Sequence, residues 1–554
     1  MQFTGAELIV HILEQHGINV VAGIPGGAAL PLYDAFAHSK IIHHVLARHE
    51  QGAGFIAQGM ARATGKPGVC LASSGPGATN LITAIADAKL DSVPLICITA
   101  QVSTAMIGTD AFQEVDTYGI SIPVTKHNFL VRDIAELPTV MSEAFRIATS
   151  GRPGPVWIDV PKDVQLAQIE LTESYTPAPC PPPPKIQESV ITEALEMLAQ
   201  SASPIIYFGG GIITGEASEQ AVRFAELADA PVVTTLMGLG VMPVNHPLYL
   251  GMLGMHGTRA TNYVMEKADL LVVMGARFDD RAIGKAAEFC PDARVIHIDI
   301  DNAELGKIRR PEMEIQGDVL EFLNAMNVRT AQASRRAWND YVANMKKEFP
   351  LQMPGIHDPL SHYGLIRACA EAAGEKVHVV TDVGQHQMWV AQSYPFSSPR
   401  QLLTSGGLGT MGFGLPAAIG AALKKPDSTV LCFSGDGSIM MNIQELATAV
   451  EEKANVKVIL MNNNALGLVH QQQELFYGNN LFASGYRHEV DFLKIAEGFG
   501  FHTVDLNEEA DPLSALADAV KTPGPVFIHA RIDVNEKVYP MVAPGAANTN
   551  MIGG

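Results

Sequence analysis

The residues with the clearest chemical potential are Asp436, in Ser434-Gly-Asp-Gly-Ser438, and Asn463, which follows it after 27 positions. One charged and one neutral oxygen suit a divalent cation of near-octahedral geometry that takes its other ligands from phosphates. Gly437 and Ser438 would open a helix, so free N–H groups and the helix dipole are available to an anion. A lone Gly-Asp-Gly could equally be a tight turn. The surrounding pattern argues for more. Two β-branched apolar runs, 430–433 and 456–461, enclose helically spaced apolar residues over 439–450, which predicts a strand-helix-strand unit with parallel strands. Asp436 and Asn463 are then expected at the carboxyl ends of neighbouring strands, where open α/β sheets bind ligands.

This stretch resembles the signature of the thiamin diphosphate enzymes, Gly-Asp-Gly followed after just under thirty residues by Asn-Asn. The resemblance implies Mg²⁺ held by Asp436, Asn463 and the carbonyl of Ala465, with Gln385, His386, Gly437, Ser438 and Leu468 against the coenzyme. Arg48-His-Glu-Gln-Gly-Ala53 matches the segment that carries the family's catalytic glutamate. Glu50, on composition alone a helix-capping acid, would hydrogen-bond N1′ of the aminopyrimidine and so promote loss of the thiazolium C2 proton. Met411, a core side chain on any bland account, matches the wedge that bends the coenzyme, and Gly409 the carbonyl that accepts from its 4′-amino group. In this family the two ends of the coenzyme are held by different subunits. A homodimer is the implied minimum, with a tetramer left open.

The 554 residues exceed one core and suggest several domains of ordinary size. Hydrophobic residues make up 47% and charged ones 17%, a globular balance, and the net charge of −20 disfavours nucleic-acid or anionic-membrane partners. Cys70, Cys97, Cys180, Cys290, Cys369 and Cys432 lack metal-ligand spacing and are expected to be free thiols. With no signal-like amino terminus or spanning apolar run, the expected location is the cytoplasm.

Alternating strand-like and helix-like segments predict three doubly wound parallel-sheet α/β domains. The expected boundaries are 1–170, a Pro-rich linker at 171–188, 189–349, 350–532 and a tail at 533–554. Strands are predicted at 20–24, 41–47, 69–72, 95–99 and 156–160, then at 204–208, 232–235, 270–275 and 294–300, with a polar helix over 333–349. Three units of similar length hint at a repeat without direct self-similarity. The order matches the pyrimidine-binding, central and diphosphate-binding domains of the resembled family.

Within that family the chain resembles the catalytic subunits of acetohydroxyacid synthase. Ile107-Gly-Thr-Asp-Ala-Phe-Gln-Glu places Phe112 and Gln113, and Pro161-Lys-Asp-Val places Lys162, at active-site positions. Lys162 could otherwise be a surface lysine. The Gly-lined segments around Gly210, Met255-His256 and Gly275-Ala-Arg-Phe-Asp-Asp-Arg281 are not dinucleotide fingerprints. The resemblance implies that they bind a structural, non-redox FAD, through Arg152, Gly210, Thr235, Leu236, Met255, His256, Gly275, Arg277, Asp279, Asp280, Arg281, Asp299 and Asp318. A local ion-pair cluster of Arg277, Asp279, Asp280 and Arg281 is the alternative.

The implied activity is decarboxylation of pyruvate and transfer of its hydroxyethyl carbanion to a second 2-keto acid, in branched-chain amino-acid synthesis, with an accessory regulatory subunit possible. Gln472 stands where the family commonly has Trp, which predicts weak preference for 2-ketobutyrate, since one methylene is worth about 1–3 kcal/mol in a fitted pocket. The alternatives are an FAD-free acetolactate synthase, a thiamin-dependent decarboxylase, a flavin-dependent 2-keto-acid oxidase or a nucleotide-binding scaffold.

Overall fold

The computed structural model describes residues 2–171 and 175–553, so positions 172–174 of the expected linker and the last residue of the tail lie outside the described residues. Three six-stranded sheets, all parallel, carry the chain. The first comprises β1 (Val20–Gly23), β2 (His43–Leu46), β3 (Gly68–Ala72), β4 (Leu95–Gln101), β5 (His127–Leu130) and β6 (Pro155–Pro161), in spatial order β2-β1-β3-β4-β6-β5. The central sheet has β7 (Pro204–Phe208), β8 (Val232–Thr234), β9 (Tyr249–Met252), β10 (Leu270–Met274), β11 (Arg294–Asp299) and β12 (Met313–Gln316), ordered β9-β8-β7-β10-β11-β12. In the third, β13 (Val377–Thr381), β14 (Leu402–Leu403), β15 (Thr429–Gly435), β16 (Val456–Asn462), β17 (His502–Asp505) and β18 (Val526–Arg531) run β14-β13-β15-β16-β18-β17.

Strands buried on both faces, such as β4 and β6, are among those predicted, because a parallel sheet covered by helices demands continuous apolar runs. β5, β9 and β12 were not expected, nor were β13, β14, β17 and β18 of the third sheet. β12 alternates buried and exposed at an edge, so it never builds such a run. The helix expected over 439–450 is two: α4 (Asp436–Ile439) and α5 (Glu445–Glu451). Between them Asn442 turns to donate from Nδ2 to the Gly412 carbonyl (2.7 Å), a contact a continuous helix would forfeit. The polar helix expected over 333–349 forms as Arg336–Glu348, and residues 175–187 have no regular structure. Five of the six cysteines are buried and all are free; only Cys180 is exposed.

The first and third units share one core. Helix α1 (Glu50–Thr64), after β2, packs antiparallel on α3 (Gly414–Lys424), after β14. A Cβ on Gly59 would lie 2.0 Å from Ala417 O, and one on Gly420 would lie 2.0 Å from Ile56 O. Backbone therefore meets backbone, and neither glycine admits a side chain. Helices α2 (Pro76–Leu90), following β3, and α6 (Gly467–Phe476), following β16, complete the elements that bear on the site. In the tail, Met541–Val542 pairs with Met551–Ile552, and Val542 N donates to Met255 O. Among the described residues no helix is long and apolar enough to cross a membrane.

Candidate active site

Asp436 begins α4 where β15 ends and is only 3% exposed. Burial pushes its pKa up to about 6, against the opposing pull of the backbone N–H groups of Gly437, Ala465 and Asn464. Oδ2 is buried without a hydrogen-bond partner. An orphaned carboxylate oxygen is costly, and a cation would satisfy it. Asn463, just past β16, donates from Nδ2 to Gln385 Oε1 (3.1 Å), and no described donor reaches its own Oδ1. Among the described residues no three His, Cys, Asp or Glu side chains converge as a metal cluster. A cation here would therefore depend on this mixed set of one carboxylate, one amide and backbone oxygen, which fits an ion completed by phosphate oxygens.

Gln385 and His386 open the helix Gln385–Ser393 beside this turn. Gln385 Nε2 is tied to Gln471 Oε1 (3.0 Å) and Glu536 O (2.9 Å). Burial drives the His386 pKa down to about 3, so the ring is neutral, and its Nε2 is a second buried atom without a partner. Its ring lies against Gly435, where a Cβ would be 3.1 Å from Cε1. Met411 Cε would be 3.6 Å from a Cβ on Gly437, which puts the expected wedge beside the turn. Gly409 has φ +69 and nothing nearer to an added Cβ than Val383 Cγ1 at 3.9 Å, so its backbone faces open space. Gly437, Ser438 and Ala465 are buried around Asp436, and Leu468 and Gln472 are half-buried on α6.

Sequence reasoning missed two acids of this region. Asp382, fully buried, accepts from Gly412 N (2.8 Å) and fixes the loop after Met411. Glu445, at the start of α5, accepts from Arg48 N and His49 N (both 3.0 Å) and so holds the backbone just before Glu50. The available signal was a single acid inside an otherwise apolar stretch.

Glu50 starts α1, with His49 as its N-cap, and Oε2 accepts from Asn80 Nδ2 (2.9 Å). Gln113 lies over Gly75 and has φ +60; Phe112 beside it is 87% exposed. Lys162 begins the helix Lys162–Leu166 directly after β6 and makes no hydrogen bond or ion pair among the described residues. Among the described residues no hydrogen bond joins Glu50 to Asp436 within the chain. Two α1 residues reach the Met411 loop: Arg62 donates to Thr404 O (3.0 Å) and lies 5.1 Å over the Phe413 ring, and the Phe55 ring meets the same ring edge-on at 5.4 Å.

The central sheet has the 3-2-1-4-5-6 order of dinucleotide-binding folds, with its switch point between β7 and β10. There Gly209-Gly210 meets Gly275 so closely that a Cβ on Gly209 would be 2.1 Å from Gly275 O. Thr235 Oγ1 and His256 Nδ1 nearby on the chain are buried without partners, and burial drives the His256 pKa to about 4. Leu236 opens a short turn and Met255 receives the tail. Asp299 is buried, with its pKa raised to about 6. Asp279 and Asp318 cap helices. Of the alternative ion-pair cluster only Arg281 and Asp280 approach, at 3.9 Å on an exposed surface. Arg277 instead donates to Leu90 O (2.8 Å), and Arg152 binds Ser92, Asp301 and Glu304.

Family models for thiamine pyrophosphate enzymes match all three units: the N-terminal TPP binding domain over residues 3–120, the central domain over 191–326 and the C-terminal TPP binding domain over 382–530. With the orphaned Asp436 and His386 atoms in the third unit, these matches place the chain among the thiamine pyrophosphate enzymes. The chain is 62% identical over 552 residues to the acetolactate synthase isozyme 1 large subunit of Escherichia coli (strain K12), covering 100% of this chain and 98% of that one. It is 45% identical to the isozyme 2 large subunit of the same organism, over 99% of both, and 43% identical to the acetolactate synthase large subunit of Corynebacterium glutamicum, over 99% and 90%. Within the class, it belongs to the acetolactate synthase large subunits.

Proposed function

We propose that the chain is the catalytic subunit of an acetolactate synthase that joins two 2-keto acids with loss of CO₂, yielding 2-acetolactate from pyruvate alone and 2-aceto-2-hydroxybutyrate when 2-ketobutyrate is the acceptor. Thiamin diphosphate, when bound, supplies the carbanion stabilisation that no side chain provides. Asp436, Asn463 and the Ala465 carbonyl hold Mg²⁺, and Gln385, His386, Gly437, Ser438 and Leu468 receive the diphosphate. The observation that carries this assignment is the buried, unpartnered Asp436 Oδ2 beside the equally unpartnered His386 Nε2.

Glu50 holds a proton at ring N1′ of the aminopyrimidine, with Asn80 orienting its carboxyl. Glu50 serves a site whose diphosphate end belongs to another copy of the chain, as the subunit arrangement of the resembled family implies. The assembly is a homodimer or a homotetramer. Gln113 and Lys162 approach the keto acids, and Phe112 and Gln472 border the second one. The units 1–170, 189–349 and 350–532 act as pyrimidine-binding, central and diphosphate-binding domains.

The strand order of the central sheet and its glycine-lined switch point support FAD there as a structural group. The "large subunit" in the relatives' names supports a regulatory small subunit. A cytoplasmic location is part of the same proposal. Acetolactate formation from pyruvate, assayed before and after removal of thiamin diphosphate and Mg²⁺, tests the proposal. Activity that survives removal of both refutes it, and oxygen or quinone consumption stoichiometric with pyruvate would favour an oxidase.

A further inference from the structure

A group of buried charges that the proposed reaction does not use joins the first unit to the loop that carries Gly409 and Met411. Asp87 and the residue just past α2, Asp91, have fully buried side chains, and both accept from Arg62 Nη2, at 3.1 and 2.9 Å. Arg62 is itself fixed by Gln58 Oε1 (2.8 Å) and reaches Thr404 O. Two carboxylates face one guanidinium, so the set needs further donors, and all of them come from the loop. Gly406 N and Gly407 N donate to Asp91, at 3.0 and 2.7 Å. Ser405 Oγ and Thr410 Oγ1 donate to Asp87 Oδ1, the latter at 3.1 Å, and Thr410 N closes the loop onto Ser405 Oγ (2.8 Å). Burial raises the Asp87 pKa and the Arg62 charge opposes that rise.

The approach is close enough to fix residue types. A Cβ on Gly407 would lie 2.9 Å from Asp91 Oδ1, and one on Gly406 would lie 2.4 Å from Met237 Sδ. If the loop moved away, two buried carboxylates would lose their remaining donors, and a buried charge without donors is strongly disfavoured. The loop is thus held at both flanks of Gly409, before it by Asp87 at Ser405 and Asp91 at Gly406 and Gly407, and after it by Asp87 at Thr410 and Asp382 at Gly412.

We propose that Asp87 and Asp91, bridged by Arg62, are positioning residues that set where Gly409 and Met411 stand against the coenzyme, so that the first unit tunes coenzyme geometry in the third without touching the reacting atoms. This rests on the thiamin diphosphate assignment of that loop. A positioning role affects the step that depends on a bent, aligned coenzyme more than the binding of its diphosphate, because Asp436 and His386 lie outside the network.

The test uses the full chain with thiamin diphosphate and Mg²⁺. Thr410→Val removes one loop hydrogen bond and leaves the Arg62 bridge intact; Asp91→Asn removes the charge that faces the two glycine N–H groups. The measurements are coenzyme affinity by tryptophan fluorescence titration, deuterium exchange at C2 of the bound coenzyme, kcat and KM for acetolactate formation, and melting temperature. For both variants coenzyme Kd and pyruvate KM should stay within about threefold, while C2 exchange and kcat fall together, about fivefold or more for Thr410→Val and further for Asp91→Asn. The melting temperature of Thr410→Val should move little.

A parallel loss of affinity, kcat and melting temperature would make the network merely structural and overturn the proposal. Unchanged exchange in a folded Thr410→Val would overturn it too. Met411→Ala separates the two layers. If it slows exchange and the network variants do not, the positioning role fails alone; if Met411→Ala leaves exchange unchanged, the coenzyme assignment of the loop fails and takes the proposal with it.

Discussion

The first and third sheets follow the same course. Numbered along each unit, both run 2-1-3-4-6-5, whereas the central sheet runs 3-2-1-4-5-6. The sequence hint of a threefold repeat is thus a twofold one around a different central fold. At the turn after the third strand the first unit reads Ser74-Gly75-Pro76-Gly77 and the third Ser434-Gly435-Asp436-Gly437. Pro76 and Asp436 both occupy the first position of the following helix. Proline suits that position but has no side-chain acceptor, so the first unit lacks the carboxylate that Asp436 offers at the matching turn. After the second strand the roles reverse: α1 begins at Glu50, while the approach to α3 carries Gly409 and Met411. On the proposed assignment, one frame provides an acid for the coenzyme ring in one unit and a cation site in the other, through single residues at matching turns.

Glu50→Gln is the sharpest way to break this division of labour. It should lower kcat by about 10²–10⁴-fold while coenzyme and Mg²⁺ remain bound, because only proton handling at the ring is lost. Steady-state kinetics with a coenzyme titration decides it; a loss of binding instead would mean that the first unit helps grip the diphosphate. Asp436→Asn should show the converse. Removing a direct ligand is expected to weaken Mg²⁺ by about 100-fold, the upper range for residues that merely support a ligand. Saturating Mg²⁺ should restore part of the activity, and an unchanged Mg²⁺ requirement would remove Asp436 from the metal site.

How much of this was legible follows from what each segment had to bury. Strands β4, β6, β15 and β16 announced themselves because both faces are covered, and the Asp436–Asn463 interval marked the site because one strand-helix-strand unit spans it. The edge strands β5 and β12 carry polar residues on their open side and left no apolar run. The break between α4 and α5 was invisible because its cause, the bond from Asn442 to Gly412, is tertiary. Asp87, Asp91 and Glu445 looked like ordinary helix acids, since nothing in local sequence says that their partners lie more than 300 residues away.

A smaller effect distinguishes the units by pH. Asp382 follows the first strand of the third sheet, where the first sheet has Ile24. Burial raises its pKa from 3.8 to about 6. The folded state therefore binds this proton more tightly than the unfolded chain, and the stability it contributes is full below about pH 3.8 and lost as pH rises through about 6. Between pH 7.5 and pH 5 the gain is about 1 kcal/mol for a shift of this direction and size. Asp382→Asn has no such proton to bind. Its melting temperature should fall further below that of the unaltered chain at pH 5 than at pH 7.5, by about 1–2 °C. An equal deficit at both values would show that Asp382 stays ionised throughout.

The smallest expected effect concerns the segments after the fourth strand of each unit, which carry Phe112 and Gln113 in the first and Gln472 in the third. Gln471 and Gln473 on α6 are both held by hydrogen bonds, to Val538 and Phe482 among others, but the Gln472 amide has no partner among the described residues. Gln472→Trp therefore gives up no internal bond and adds an apolar wall. If that wall borders the second keto acid, the extra methylene of 2-ketobutyrate gains contact, and a methylene in a fitted pocket is worth about 1–3 kcal/mol. In an equimolar competition of pyruvate and 2-ketobutyrate, the ratio of 2-aceto-2-hydroxybutyrate to 2-acetolactate should rise by about tenfold, with coenzyme affinity unchanged. Phe112→Ala, which acts from the first unit, should lower the rate with both acceptors. A product ratio that responds to Phe112→Ala and not to Gln472→Trp would transfer acceptor selection from the third unit to the first.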